Sequence, residues 1–293
     1  MNHPPMTTVS HVLTLLEAFA PTCWALQVHP GDNVGLLVGR RDNAVTNLLV
    51  ALDVTEPVIR EAMQIGAELI VTHHPIIYRD GLKFISDASH TGRLLLELME
   101  NRIAAICMHT NWDAAPGGIN DLLARAVGLE GPLSFLGPVF TSSDGRRYGL
   151  GRVGQLPEPV SADRLAQSVK DALGCRHLRY ADGGRLCHTV AVGSGNSCSQ
   201  WDDVRRHGCD AFITGDVSYH LFLEAQHEGI TLIDAGHYPT EQIIVAPIAA
   251  LLRRELPGVG ITASRVGEEP FDYEDGPRTR IPHPEQRGPG YAT

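Results

Sequence analysis

The chain has 293 residues, ordinary hydrophobic (43%) and charged (20%) fractions, and a formal net charge of -10. That length allows one large domain or two, and the acidic balance excludes a general binder of nucleic acid or anionic membrane while leaving room for a local nucleotide pocket. Six scattered cysteines include no C-x-x-C, no apolar run reaches membrane-spanning length, and no basic n-region opens the chain. The expectation is a cytoplasmic protein with reduced thiols and no thiolate metal site.

In chain order, Val9, Val12, Leu13 and Leu16 fall on one helical face, with Thr8 or Ser10 available as a cap. A glycine-punctuated turn, Gly31-Asp32-Asn33-Val34-Gly35, leads into a short strand. Residues 47–53 (NLLVALD) read as a buried strand, and Thr55 caps a helix over 56–64 with Pro57 in its first turn. Gly66 ends that helix, and the strand 68–71 runs straight into Thr72-His73-His74-Pro75. Pro75 keeps His74 extended, so two imidazoles stand at a strand exit, where ligands of open α/β sheets gather. A helix over 91–101 and a strand over 103–108 follow, ending in His109-Thr110-Asn111-Trp112-Asp113. Pro116, Gly117 and Gly118 then break the chain before a helix at 119–127.

Residues 129–146 are rich in Gly, Pro and Ser; a strand at 148–156 and a helix from Ser161 to Gly174 are expected beyond them. A second strand–helix–strand unit covers 189–192, 199–207 and 211–214, the last strand ending in Gly215-Asp216. A helix over 221–227 and a strand over 230–233 precede Asp234-Ala235-Gly236-His237-Tyr238-Pro239-Thr240-Glu241, and one long helix is expected over 239–255. From residue 267 the tail is rich in Pro, Gly and charge, and a mobile or surface position is expected.

The halves repeat. Val50…Gly66…Thr72-His73-His74 aligns without gaps on Val192…Gly208…Thr214-Gly215-Asp216, and Glu100…His109…Asp113 aligns on Glu228…His237…Glu241. The expected fold is therefore α/β, with a mixed sheet flanked by helices and built from two related halves. Residues 1–128 and about 188–266 form the core, 129–187 an inserted α/β segment, and 267–293 the tail. Asp216 should then be a polar residue of the second half's crevice, where the first half has His74.

His73, His74, His109, Asp113, His237 and Glu241 all sit at predicted strand exits. Imidazoles with carboxylates suit divalent Zn, Fe, Mn, Co or Ni, and two carboxylates can bridge a pair of ions ~3.5–4 Å apart. Two such ions per chain are expected. Glu241 lies in the first turn of a helix, where the N-terminal dipole favours the ionised form a metal needs. Read one at a time, His109 and His237 are equally compatible with hydrogen bonds to nearby backbone, and Asp113 with a capping role.

The segments GDNVGLLVG, VTHHPIIY, HTNWDAAPGGINDLLA, ITGDVSYH and IDAGHYPTE, in this order over residues 30–255, resemble the signatures of the Nif-three-like family. Bacterial members of that family are called GTP cyclohydrolase 1 type 2 homologues or dinuclear metal-centre proteins. The resemblance places metal ligands at His73, His74, Asp113, His237 and Glu241, makes His109 a pocket residue, and implies a toroidal homohexamer with metal sites facing an internal cavity. One departure is Pro30-Gly31, where the family usually has a Trp directly before the Asp-Asn pair; it touches an entrance-loop contact and no metal residue.

Two functions of different class follow. The first is a dinuclear-metal hydrolase, of GTP cyclohydrolase type or a phosphoesterase, acting on a nucleotide or small molecule through metal-bound hydroxide. In the GTP case, guanine C8 is attacked, formate leaves and His109 serves as the catalytic proton shuttle. The second is a non-catalytic metal-binding or metal-handling hexameric scaffold. An open, reachable pocket beside the ligands favours the first; a closed, saturated site favours the second.

Overall fold

The structure, a computed structural model, describes residues 6–78 and 81–273. In chain order its strands are β1 (Gly35–Val38), β2 (Asn47–Ala51), β3 (Leu69–Thr72), β4 (Ala104–Cys107), β5 (Glu130–Phe135), β6 (Phe140–Thr141), β7 (Arg147–Tyr148), β8 (Arg152–Val160), β9 (Arg179–Ala181), β10 (Cys187–Val192), β11 (Ala211–Thr214), β12 (Thr231–Asp234) and β13 (Gly260–Ala263). They form one sheet in the order β1-β4-β3-β2-β13 and another in the order β5-β8-β10-β11-β12-β9, with β6 and β7 as a separate small hairpin. Both larger sheets are mixed and carry helices on both faces.

The reason lies in the strands. β3, β4, β11 and β12 are buried along their whole length, as continuous apolar runs in a parallel sheet must be. Against one face of the first sheet pack helices Val9–Phe19 and Val245–Glu255, with Val12, Leu16 and Ile248 meeting Leu48, Val50 and Val71. Helices Glu56–Gln64 and His90–Glu100 cover the other face through Val58, Ile59, Leu94 and Leu95 against Leu49 and Ile70. The helix Glu56–Gln64 starts as its sequence predicts, with the Thr55 side chain accepting from Val58 N–H and Pro57 in the first turn. Helix Ala162–Leu173 covers one face of the second sheet and Trp201–Arg206 the other.

The repeat is visible in the pairing. β2-β3-β4 and β10-β11-β12 are each parallel, and each triplet carries an antiparallel edge strand on its third member, β1 on β4 and β9 on β12. Val50 pairs with Val71 and Val192 with Ile213, the same register in the aligned positions. The third strands differ by one residue, because Thr72 pairs with Cys107 but Thr214 with Asp234. At the outer edge the halves diverge: β13 runs parallel to β2, whereas β8 runs antiparallel to β10. Residues 129–187 supply β5, β8 and β9, three of the six strands of the second sheet.

Three local expectations are corrected. The long helix over 239–255 is two helices, His237–Gln242 and Val245–Glu255. Pro247 explains the break: it has no N–H and its ring crowds the carbonyl four residues back, at Ile243. Residues 110–114, left unassigned by periodicity, form a short helix, Thr110–Ala114. The strand expected over 148–156 begins four residues later, at Arg152. The expected tail is described only to residue 273. Among the described residues all six cysteines are free, and no single helix is long and apolar enough to cross a membrane.

Candidate metal centre

The carboxyl ends of the parallel strands of both sheets bring their exits together. His73 and His74 follow β3, His109 and Asp113 follow β4, and His237 and Glu241 follow β12. All six expected site residues meet here. His73, His74 and His109 offer nitrogen atoms within 4.8 Å of one another, and in a second group the nitrogens of His74 and His237 and a carboxylate oxygen of Glu241 lie equally close, each group able to hold a metal ion. Glu241 reaches across the centre: Oε1 is 3.8 Å from His73 Nε2, while Oε2 is 2.7 Å from His74 Nε2 and 3.0 Å from His237 Nε2. Asp113 Oδ1 lies 3.6 Å from His73 Nε2.

Orientation is as informative as distance. His73 Nδ1 sits 3.0 Å from the Met108 carbonyl, which can only accept, so Nδ1 carries a proton and Nε2 is the atom that faces the centre. The other three imidazoles repeat this with carboxylates: His74 Nδ1 to Asp53 at 2.7 Å, His109 Nδ1 to Asp32 at 2.8 Å, and His237 Nδ1 to Asp216 at 2.7 Å. An acceptor behind each ring fixes the tautomer and raises ligand basicity, the arrangement typical of metal-binding histidines. Asp216 thus stands in the crevice where the repeat places it. Its backbone is left-handed (φ 55), a conformation worth ~1–3 kcal/mol of strain in a non-glycine residue, and Asp234 holds the turn by accepting from Val217 and Gly236 N–H.

His73 Nε2 and Glu241 Oε2 are buried without an aligned hydrogen-bond partner. For Oε2 this holds despite two short imidazole contacts, so proximity without alignment leaves its charge directed at the middle of the cluster. Orphaned buried polar atoms are costly, and a cation bound between them would satisfy both. The ionisation pattern agrees. Burial alone would depress the imidazoles, but the Asp53 and Glu241 carboxylates outweigh it and hold His74 up at about 10, and Glu241 with Asp216 holds His237 at about 9. Burial likewise opposes the charge on Glu241, yet His237, His73 and His74 keep it well below the usual carboxylate range. Asp113 goes the other way, raised by burial. The cluster is one whose carboxylates favour positive charge at its centre.

The remaining motif residues build the frame. In His109-Thr110-Asn111-Trp112-Asp113, Thr110 donates to Asp32, Asn111 Nδ2 donates to Ala20 O at 2.7 Å, and Trp112 stacks on Phe19 with ring centroids 4.6 Å apart. Only His109 and Asp113 are left to face the centre. Asp32 also accepts from Asn33 N–H, and its carboxyl is driven far down: burial resists, but His109 and Thr110 prevail.

Sequence reasoning missed the roles of Asp32, Asp53, Ser194 and Gly195. Asp53 was readable in principle, since it ends the strand NLLVALD as the histidines end theirs. Ser194 Oγ donates to Asp113 Oδ1 at 3.2 Å, a contact between distant parts of the chain. Gly195 (φ 52) leaves the room that the cluster occupies: a Cβ there would strike Glu241 Oε1 and stand 3.0 Å from His237 Nε2. Gly195→Ala is therefore expected to lose metal while the far-ultraviolet dichroism is unchanged; full metal retention by elemental analysis would show that the cradle is not needed.

The Duf34/NIF3 (NGG1p interacting factor 3) family model matches residues 7–270. The chain belongs to the NIF3 family. Among NIF3 relatives, a Clostridium perfringens protein is 32% identical over 269 residues, covering 90% of this chain and 99% of its own. A Streptomyces coelicolor protein is 38% identical over 240 residues, covering 80% and 82%. Both carry the name GTP cyclohydrolase 1 type 2 homolog. In fold, a Bacillus cereus protein related to NIF3 superposes with a TM-score of 0.84 at 24% identity, covering 92% of this chain and all of that one. A Staphylococcus aureus protein superposes at 0.82 with 27% identity, again over 92% and 100%.

Proposed function

We propose that this NIF3 protein is a dinuclear-metal hydrolase that opens a ring in a small polar substrate, the class of reaction suggested by the names of its relatives. One observation carries the reading: four imidazoles with fixed tautomers, Asp113 and Glu241 converge beside a solvent-open cleft of about 430 Å³ lined by His109, Asp113, His237 and Glu241. A storage or scaffold role needs no such cleft; an enzyme does. His73, Asp113 and the Oε1 side of Glu241 would hold one divalent transition metal, and His74, His237 and the Oε2 side of Glu241 the other. Such ions supply Lewis acidity and an activated water at neutral pH.

The chain's own groups do the rest. Glu241 keeps the two halves of the centre in fixed relation. Asp53 and Asp216 hold the rings of His74 and His237 from behind. His109, with its Nδ1 proton engaged by Asp32, presents Nε2 to the cleft as a base that can take a proton and return it to a leaving nitrogen. Elemental analysis after reconstitution is expected to give about two ions per chain. The same protein is expected to release formate from a guanine ring in a metal-dependent way. Ions bound with no turnover of guanine compounds or phosphoesters under Zn, Mn, Fe, Co or Ni would leave the metal-handling role instead.

A further inference from the structure

The chain that follows β13 crosses from one layer of the molecule to the other. Ser264 leaves the first sheet firmly held: its N–H donates to Val50 O at 2.7 Å and its Oγ to Glu61 at 2.6 Å, and Arg265 N–H donates to the same carboxylate. Val266 packs against the core under helices Glu56–Gln64 and His90–Glu100. Beyond it, Gly267 O accepts from the Tyr238 hydroxyl at 2.7 Å. Tyr273 ends against Arg176 and His177, just before β9 of the second sheet. The segment 264–273 is thus a strap across both layers, and it passes over the Gly236-His237-Tyr238 turn.

Its contacts with that turn are particular. The Tyr238 ring packs on the first sheet's core while its hydroxyl reaches the strap, so one side chain holds the turn from two directions. Gly236 has a positive φ (88), and a Cβ on it would stand 3.4 Å from Glu269 Oε1; the strap comes this close because the residue is glycine. At the far end the Tyr273 ring lies 4.7 Å from that of His177 and 5.8 Å from the Arg176 guanidinium, within reach of a cation–π attraction. Nearer its start, Val266, Gly267 and Glu268 line one side of a cavity of about 40 Å³ that Asp53 also lines. The strap therefore lies behind both rings of the second ligand group: Asp53 backs His74, and the turn bears His237.

We infer that the segment 264–273 is a latch that holds the turn bearing His237 in its ligating position from outside. Its two ends are unequal, which is what a latch requires. The Ser264 end is fixed by three hydrogen bonds, whereas Gly267, Glu268, Pro270, Phe271 and Asp272 are exposed. Segments with few buried contacts open ahead of the fold as a whole, so the strap lifts from its Tyr273 end and frees the turn beneath it. The inference rests on the reading of His237 as a metal ligand and on no reaction.

Hydrogen exchange followed by mass spectrometry tests it, on the full chain, first chelated and then loaded with zinc. Tyr238→Phe and Tyr273→Ala are each expected to speed exchange over residues 234–242 about two- to tenfold, the range set by loss of one hydrogen bond or a comparable contact. Strands β2 and β10 are expected to exchange as before. Tyr273→Phe keeps the ring on His177 and Arg176 and is expected to restore most of the protection. In the loaded protein, Tyr238→Phe and Tyr273→Ala are expected to surrender zinc to excess chelator several-fold faster. Unchanged exchange over 234–242, a rise spread evenly over both sheets, or faster exchange with zinc release unaltered overturns the latch. Loosening of that turn in a chelated protein that binds no zinc leaves the hold on the turn standing and removes the dinuclear hydrolase reading.

Discussion

If the centre holds the two ions proposed, Glu241→Gln is expected to shed at least one of them while the protein stays folded. The carboxylate is almost fully buried and spans the cluster with both oxygens; because the helix opens at His237 and not at Pro239, Glu241 lies past its first turn, and the histidines, not the helix dipole expected from the sequence, hold its charge. Glutamine keeps the volume, removes the charge and puts an N–H₂ where a lone pair faced His73 or His74. Losing one partner of a buried charged set typically costs ~3–5 kcal/mol, a drop in metal affinity of two to three orders of magnitude at least. His109→Ala makes the contrast. Its ring is within ligand range of His73 and His74, yet Asp113 at 3.6 Å and Glu241 at 3.8 Å each approach His73 Nε2 as alternative ligands. The variant is expected to keep its metal and lose about 10²- to 10⁴-fold in turnover, the usual cost of a missing acid–base group. Elemental analysis and turnover measured on both variants decide the matter: if His109→Ala loses metal as fully as Glu241→Gln, His109 is a ligand and not a shuttle.

The second large effect is on stability, and its sign runs against habit. Carboxylates lift His74 to about 10 and His237 to about 9, from an ordinary 6.5. A group raised in the folded state stabilises it fully below its unfolded value, and that contribution drains away as pH climbs through the folded one. The chelated protein should therefore lose stability between pH 6.5 and about 10. Glu241, depressed in the folded state, stabilises above pH 4.5 and loses that contribution as pH falls below it. Metal binding removes the imidazole protons, so affinity for metal rises over the same alkaline range in which the chelated chain weakens. Melting temperatures of chelated and loaded protein are expected to diverge steadily from pH 6.5 to 9. A chelated protein that melts higher at pH 9 than at pH 6.5 would show that protons do not occupy the metal positions.

Much of this was legible because the informative residues sit where periodicity ends. Apolar runs that stop abruptly at His73-His74, at His109 and before His237 mark both strand and site, and the recurrence of Val50…Gly66…His74 in Val192…Gly208…Asp216 carries over into the register of β2–β3 and β10–β11. Capping chemistry at Thr55 was local and came out as expected. What could not be read was relational. Asp32 finds His109 across 77 residues and Ser194 finds Asp113 across 81; no spacing rule reaches that far. Gly195 matters for the side chain it lacks, which shows only once Glu241 is seen above it. The split of the long helix was there in Pro247, but periodicity continued across it and concealed the break.

The helix pair after β12 has a mechanical meaning of its own. His237–Gln242 belongs to the second sheet's exit and delivers Glu241, whereas Val245–Glu255 packs on the first sheet; between them, Ile243 touches the cores of both. An ion held by His73 from one sheet and Glu241 from the other would act as a clasp across the seam between the two layers. Its binding energy would be delivered as adhesion between them, and a ligand lost on either side would loosen the molecule along that line.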